Sequence, residues 1–138
     1  VWQGMQKIFS KKGCCLEEEQ YLEIPKDRDL RRMFYKIRLA GLALSADILV
    51  FASAVQGAEA VGYLHDLEIK VPEEIEVIAV GKEETALICR PQLTTVEFDK
   101  KRFVRKAIEE LYVQMIKGYI LTKSGKISVK TIIRGSSN

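Results

Sequence analysis

Asp47-Ile48-Leu49-Val50-Phe51-Ala52-Ser53 is the stretch from which the rest of the chain is best read. From Ile48 to Ala52 it is apolar without the polar alternation of a half-solvated strand, and Asp47 and Ser53 bracket it. Such a run suits a strand covered on both faces, as parallel sheets are, because each parallel crossover lays a helix over the sheet. Ser53 is placed to cap the next helix, over residues 55–66, where Gly57, Ala58, Ala60 and Gly62 allow close packing. Residues 68–72 read as a loop, and Ile75 to Val80 repeats the strand character. Strands alternating with helices predict an α/β domain: a parallel sheet with helices on both faces.

Working outward, Trp2, Met5, Ile8 and Phe9 recur at helical spacing, and Lys12-Gly13 ends that helix. A short strand is expected around Tyr21 to Ile24, followed by Pro25 as punctuation. Asp27 or Asp29 can then cap a helix with Leu30, Met33, Phe34, Ile37 and Leu39 on one side. Its basic residues Arg28, Arg31, Arg32, Lys36 and Arg38 read as a solvated face. On the other flank, Leu93 to Phe98 is a further extended piece. Asp99 caps a long helix to Lys117, with Phe103, Val104, Ala107, Ile108, Leu111 and Met115 on its buried stripe and Gly118 at its end. Ile127 to Ile133 is β-rich, and Gly135-Ser136-Ser137-Asn138 reads as a polar terminus.

Composition narrows the function classes. The 138 residues carry 22 Lys+Arg against 19 Asp+Glu, a net +3 too small and too evenly mixed to argue for an electrostatic nucleic-acid binder. At 47% hydrophobic the chain is no disordered tail, and its three cysteines make no disulfide scaffold. No stretch reaches the ~18 to 20 apolar residues of a membrane helix. Cys14, Cys15 and Cys89 lack CxxC spacing, and His65 is the single histidine, so neither a zinc site nor any other metal site is expected. Free thiols fit a reducing cytoplasm. A Ser-His-Asp or Cys-His arrangement would have to use His65, which sits mid-helix, and Gly4, Gly13 and Gly57 make no phosphate loop. No enzyme activity and no cofactor are expected. The chain starts without Met and without a signal-peptide layout, which implies a processed or cut start.

Three words, in order and at consistent spacing, resemble the C-terminal half of LacI/GalR-type bacterial transcription regulators: Asp-Ile-Leu-Val-Phe-Ala-Ser at 47–53, Val-Pro-Glu-Glu-Ile-Glu-Val-Ile at 71–78 and Arg-Pro-Gln-Leu-Thr-Thr-Val at 90–96. The ending Ile-Ile-Arg-Gly-Ser-Ser at 132–137 is similar to the closing strand and tail of these regulators. Gly4-Met5 resembles the start of their helix opening Arg-x-x-Gly-Phe. The resemblance implies a periplasmic-binding-protein-like fold, in which two lobes clasp a small-molecule effector and the protein dimerises. A helix-turn-helix head then meets operator DNA. It further implies that residues 1–92 form the C-terminal lobe, that 93–120 cross into the other lobe, leaving the apolar stripe of the helix from Asp99 without its usual partner surface, and that 121–138 return. On that reading the chain is a fragment lacking the DNA-binding head, most of the N-terminal lobe and the central first strand of the C-terminal lobe.

By the same resemblance, the polar groups that orient a sugar or base belong at Val1, Ala54 and Gly81, with Ser53 and Lys82 as neighbouring polar groups. All three anchor positions carry residues that cannot make those bonds. Either the effector is a less hydroxylated or anionic molecule, or the pocket is vestigial and the lobe serves dimerisation. The resemblance places homodimer contacts on the helix over 56–64 and on residues 85–90, with Ala58, Val61 and Leu87 facing a two-fold axis. A cytoplasmic regulator is the expectation; a solute-binding protein of a transport system, sharing the fold, is the alternative.

Overall fold

The computed structural model describes residues 2–81, 84–118 and 128–138. The chain divides into two compact units, Val1–Ser45 and Ala46–Asn138.

The first unit is helical. α1 spans Trp2–Lys11 and α2 spans Arg28–Ala43, with one 3-10 turn at Glu18–Gln20 between them. Of the two candidate caps, Asp27 serves: its Oδ1 accepts the N–H groups of Asp29 and Leu30, both at 3.0 Å. The strand expected around Tyr21 to Ile24 does not form; these residues join no ladder among the described residues. An extended segment becomes a strand only where a neighbouring edge offers its N–H and C=O groups. Tyr21 instead lays its ring against Trp2, centroids 5.4 Å apart. α2 differs from its expected one-sided pattern as well. It buries Tyr35 and Leu39 completely, whereas Leu30, Met33 and Ile37 are exposed. The helix carries apolar residues around more of its circumference than one buried face can use.

The second unit is the α/β layer. Its strands are β1 (Ile48–Phe51), β2 (Glu76–Val80), β3 (Thr94–Phe98) and β4 (Val129–Ile132), side by side in that order. β1 and β2 are parallel with Leu49 opposite Val77 and Phe51 opposite Ala79. β2 and β3 are parallel with Ile78 opposite Thr94, and β3 and β4 are antiparallel with Thr95 opposite Ile132. The expected α/β class with a mostly parallel sheet flanked by helices is thus observed. α3 (Ala54–Asp66) makes the crossover from β1 to β2, and the short α4 (Thr85–Ile88) lies between β2 and β3.

α3 sits very close on the sheet, and a glycine permits it. A Cβ at Gly57 would lie 3.0 Å from Ala79 Cβ and 3.0 Å from Leu93 Cδ2. With Ala54, Ala60, Val61 and Leu64, this helix face closes over Val77, Ala79 and Leu93, all fully buried. The opposite face of β1 is not closed: Ile48 is 49% and Val50 42% exposed, so the run expected to be covered on both faces is covered on one. β1 is the end strand of the described sheet, where cover is thinnest.

α5 (Lys100–Lys117) starts where expected, Asp99 Oδ1 accepting the Arg102 N–H at 3.0 Å, and stops at Gly118 in the left-handed region, φ +64°. Its apolar stripe is not buried as the spacing alone suggests. Phe103, Val104, Ile108, Leu111 and Met115 are all exposed, Met115 to 76%. Phe103 keeps one aromatic partner, Phe98 at the end of β3, edge to face at 6.2 Å. Helical periodicity identifies the stripe but carries no information about what lies opposite it. Of the β-rich closing stretch, Ile127 lies outside the described residues.

Candidate functional site

In a parallel sheet, ligand-facing groups gather where strands end and helices begin, because the strand carboxyl ends and helix amino ends open on one edge. β1 and β2 end together. Two residues beyond the last paired rung, Phe51 with Ala79, stand Ser53 and Gly81 at corresponding positions on neighbouring strands. The register thus sets these two positions, picked out separately in the sequence, at the same end of neighbouring strands. Val1 and Lys82 lie outside the described residues.

Ser53 occupies the N-cap of α3 in extended conformation, φ −138° and ψ 135°, and its carbonyl accepts the Gly57 N–H at 3.0 Å. Its side chain does not cap the helix as expected. Ala54, next in line, is fully buried with its methyl in the core. Gly81 has φ +116°, a backbone conformation that residues with a Cβ rarely adopt, and its N–H donates to Val96 O at 2.9 Å. Positions 54 and 81 are therefore unsuited to a carboxylate for separate reasons: one faces the core, and the other has a glycine-favouring backbone.

The residues expected at a dimer contact are distributed differently. Val61 belongs to the core, Ala58 is half-buried, and Leu87 on α4 is 46% exposed. Ile88 and Val55 are exposed as well. Arg90 braces this surface by donating from Nη1 to the Leu87, Ile88 and Cys89 carbonyls, and Gln92 Nε2 donates to Leu87 O at 3.0 Å. Burial raises the Cys89 thiol above its ordinary value; hydrogen bonding and the charges of Arg90 and Arg134 oppose this and do not overcome it. A thiol so held is a poor nucleophile at neutral pH. His65 is exposed in the last turn of α3, and among the described residues no three His, Cys, Asp or Glu side chains are grouped to hold a metal.

A buried polar cluster went unforeseen in the sequence. The supposed polar terminus is inside: Ser136 and Ser137 are buried with Thr94, Thr95 and Glu97. Arg134 Nη1 donates to Leu93 O and Thr95 Oγ1, both at 2.7 Å, and its Nη2 meets Glu97 Oε1 at 3.4 Å. Short polar residues after a strand ordinarily signal a frayed end. The available hint was the pairing of two distinctive words, Leu-Thr-Thr-Val and Arg-Gly-Ser-Ser, which turn out to be hydrogen-bonded to each other.

A parallel sheet with α3 tight on one face, Ser53 and Gly81 just past the ends of neighbouring strands, and a closing antiparallel strand is a layered α/β domain. Comparison narrows that class. The family model described as a periplasmic binding protein-like domain matches residues 2–137, and the chain belongs to that family. No curated protein sequence matches it. Among solved structures, a transcriptional regulator CelR in complex with cellobiose superposes with TM-score 0.80 at 18% identity, over 98% of this chain and 41% of that one. A PurR-family transcriptional regulator from Vibrio parahaemolyticus gives 0.70 at 25% identity, over 96% and 48%. The Escherichia coli transcriptional repressor ascG gives 0.71 at 21%, over 96% and 48%. The chain spans about half or less of the length of these relatives, and its fold is that of the C-terminal domains of LacI-family regulators.

Proposed function

We propose that the chain is the ligand-sensing and dimerisation region of a LacI-like DNA-binding transcriptional regulator in which the usual polar sugar anchors are lost. The observation that carries this reading is the pair Ala54 and Gly81 at the strand ends of a domain whose structural relatives are LacI-family regulators. The first is wholly buried and the second held at φ +116°. An effector meeting this edge finds the Ser53 hydroxyl rather than paired carboxylates, and the resemblance adds Lys82 as the neighbouring charged residue in sequence; both favour a sparsely hydroxylated or anionic molecule over a monosaccharide. Operator contact falls to a separate helix-turn-helix head, and a cytoplasmic location follows from that role.

Two copies pair through α3 and α4. Leu87 and Ala58 make the contact across the two-fold axis, with Val61 packed behind them in the core. The exposure of Leu87, Ile88 and Val55 beside the small residues of α3 supports this surface. Sedimentation equilibrium of the chain and of Ala58→Lys tests it. A dimer that the substitution converts to monomer is expected; an oligomeric state indifferent to Ala58→Lys would overturn the interface.

A further inference from the structure

We propose that residues 134–137 are a latch: the tail inserts between the starts of β2 and β3 and closes the excursion of chain that leaves β3 at Phe98 and returns at Val129. The β2–β3 pairing runs from Ile78 with Thr94 to Val80 with Val96. One residue before its first rung, the β3 side of the ladder is taken by Ser136. Val77 N–H donates to Ser136 O at 2.8 Å, and Ser136 Oγ donates back to Val77 O at 2.5 Å. On the other side, Thr94 N–H donates to the same Oγ at 2.7 Å, and Ser136 N–H donates to Gln92 O at 3.0 Å. One serine therefore stands in for a stretch of strand, bonded to β2 by two contacts and to the root of β3 by two more.

The neighbours reinforce the insertion. Thr94 Oγ1 accepts the Arg134 N–H at 2.8 Å and the Ser137 hydroxyl at 2.9 Å, and donates to Arg134 O at 3.2 Å. The Arg134 guanidinium spans the Leu93 carbonyl, Thr95 Oγ1 and Glu97, and Thr95 Oγ1 donates on to Glu97 Oε1 at 2.9 Å. The root of β3 and the end of β4 are thus joined by a buried, mutually satisfied network. Such a network holds as a unit, because losing one member strands its partners without water. Withdrawal of the tail leaves Val77 and Thr94 without partners together and frees the α5 excursion at its return end. The latch joins β2, the root of β3 and the end of β4, and its place in the fold lets it govern how firmly those strand ends are held together.

Amide hydrogen exchange on the whole chain tests this, comparing it with Ser136→Ala. The substitution removes the acceptor of Thr94 N–H but leaves the backbone carbonyl that accepts from Val77 N–H. A latch predicts that both amides lose protection together, by roughly tenfold or more, while Gly81, bonded to Val96 O just past the far end of β2, is unchanged. Loss at Thr94 alone, or at neither, overturns the latch and leaves a local hydrogen bond. If Ser136→Ala does not fold, Ser137→Ala, which removes only the bond to Thr94 Oγ1, must lower protection at the same two amides; no change at either rejects the proposal.

Discussion

Substituting alanine for glycine at two positions of α3 separates helix propensity from the fit of this helix on the sheet. At Gly62 an added Cβ meets nothing within 4 Å, so Gly62→Ala gains the propensity difference alone, about 0.5–1 kcal/mol. At Gly57 the same methyl lies 3.0 Å from Ala79 Cβ and 3.0 Å from Leu93 Cδ2. Comfortable carbon contacts are ~3.5–4.0 Å, so the shortfall is roughly 0.5–1 Å against two fully buried neighbours. Ala79 Cβ has no torsion with which to move aside, and Leu93 is enclosed. Overpacking of this kind costs about 1–3 kcal/mol, which offsets the propensity gain and leaves Gly57→Ala roughly neutral to ~2 kcal/mol destabilised. Urea unfolding followed by circular dichroism reads both variants. The expected result is opposite behaviour in one helix, with Gly62→Ala more stable than Gly57→Ala by about 1–3 kcal/mol. Equal stabilisation by both would refute the close seating of α3 on β2.

Three further outcomes follow from single features. Asp27→Ala removes the acceptor shared by Asp29 and Leu30 and should lower stability by about 1 kcal/mol, read as a loss of helical signal at intermediate urea; an unchanged curve would contradict the cap. Gly81→Ala places a Cβ at φ +116° and should cost about 1–3 kcal/mol, whereas a neutral result would mean that the turn relaxes without strain. The Cys89 thiol ionises above its ordinary range because it is buried, so at pH 8 iodoacetamide should label the exposed Cys14 and Cys15 first. Raising the pH forms the Cys89 thiolate and narrows the gap; equal rates at pH 8, read by peptide mass spectrometry, would contradict the burial.

What the sequence made legible was local. Helical spacing located α1, α2 and α5, aspartates marked the starts of α2 and α5, and the apolar runs at 48–51 and 76–80 became neighbouring parallel strands. These features depend on residues a few positions apart. What could not be read depends on partners far along the chain. Nothing in residues 28–39 says that Tyr35 is buried while Ile37 is exposed, and the periodicity of α5 gives the stripe without its cover. The Ser136 contacts join residues separated by 42 and 59 positions, beyond any periodicity. At the candidate site, the letters show only that positions 54 and 81 are Ala and Gly. That the Ala54 methyl turns into the core and that the Gly81 backbone sits at a glycine-favouring φ required coordinates.

The central claim is that the sensing edge no longer carries the groups that grip an ordinary sugar. Isothermal titration calorimetry of the protein against a panel of monosaccharides, with small organic anions as the contrasting set, tests it most directly. The account predicts no micromolar binding to any monosaccharide, since Ala54 and Gly81 supply no charge-assisted hydrogen bonds. A micromolar dissociation constant for a simple hexose or pentose would contradict it.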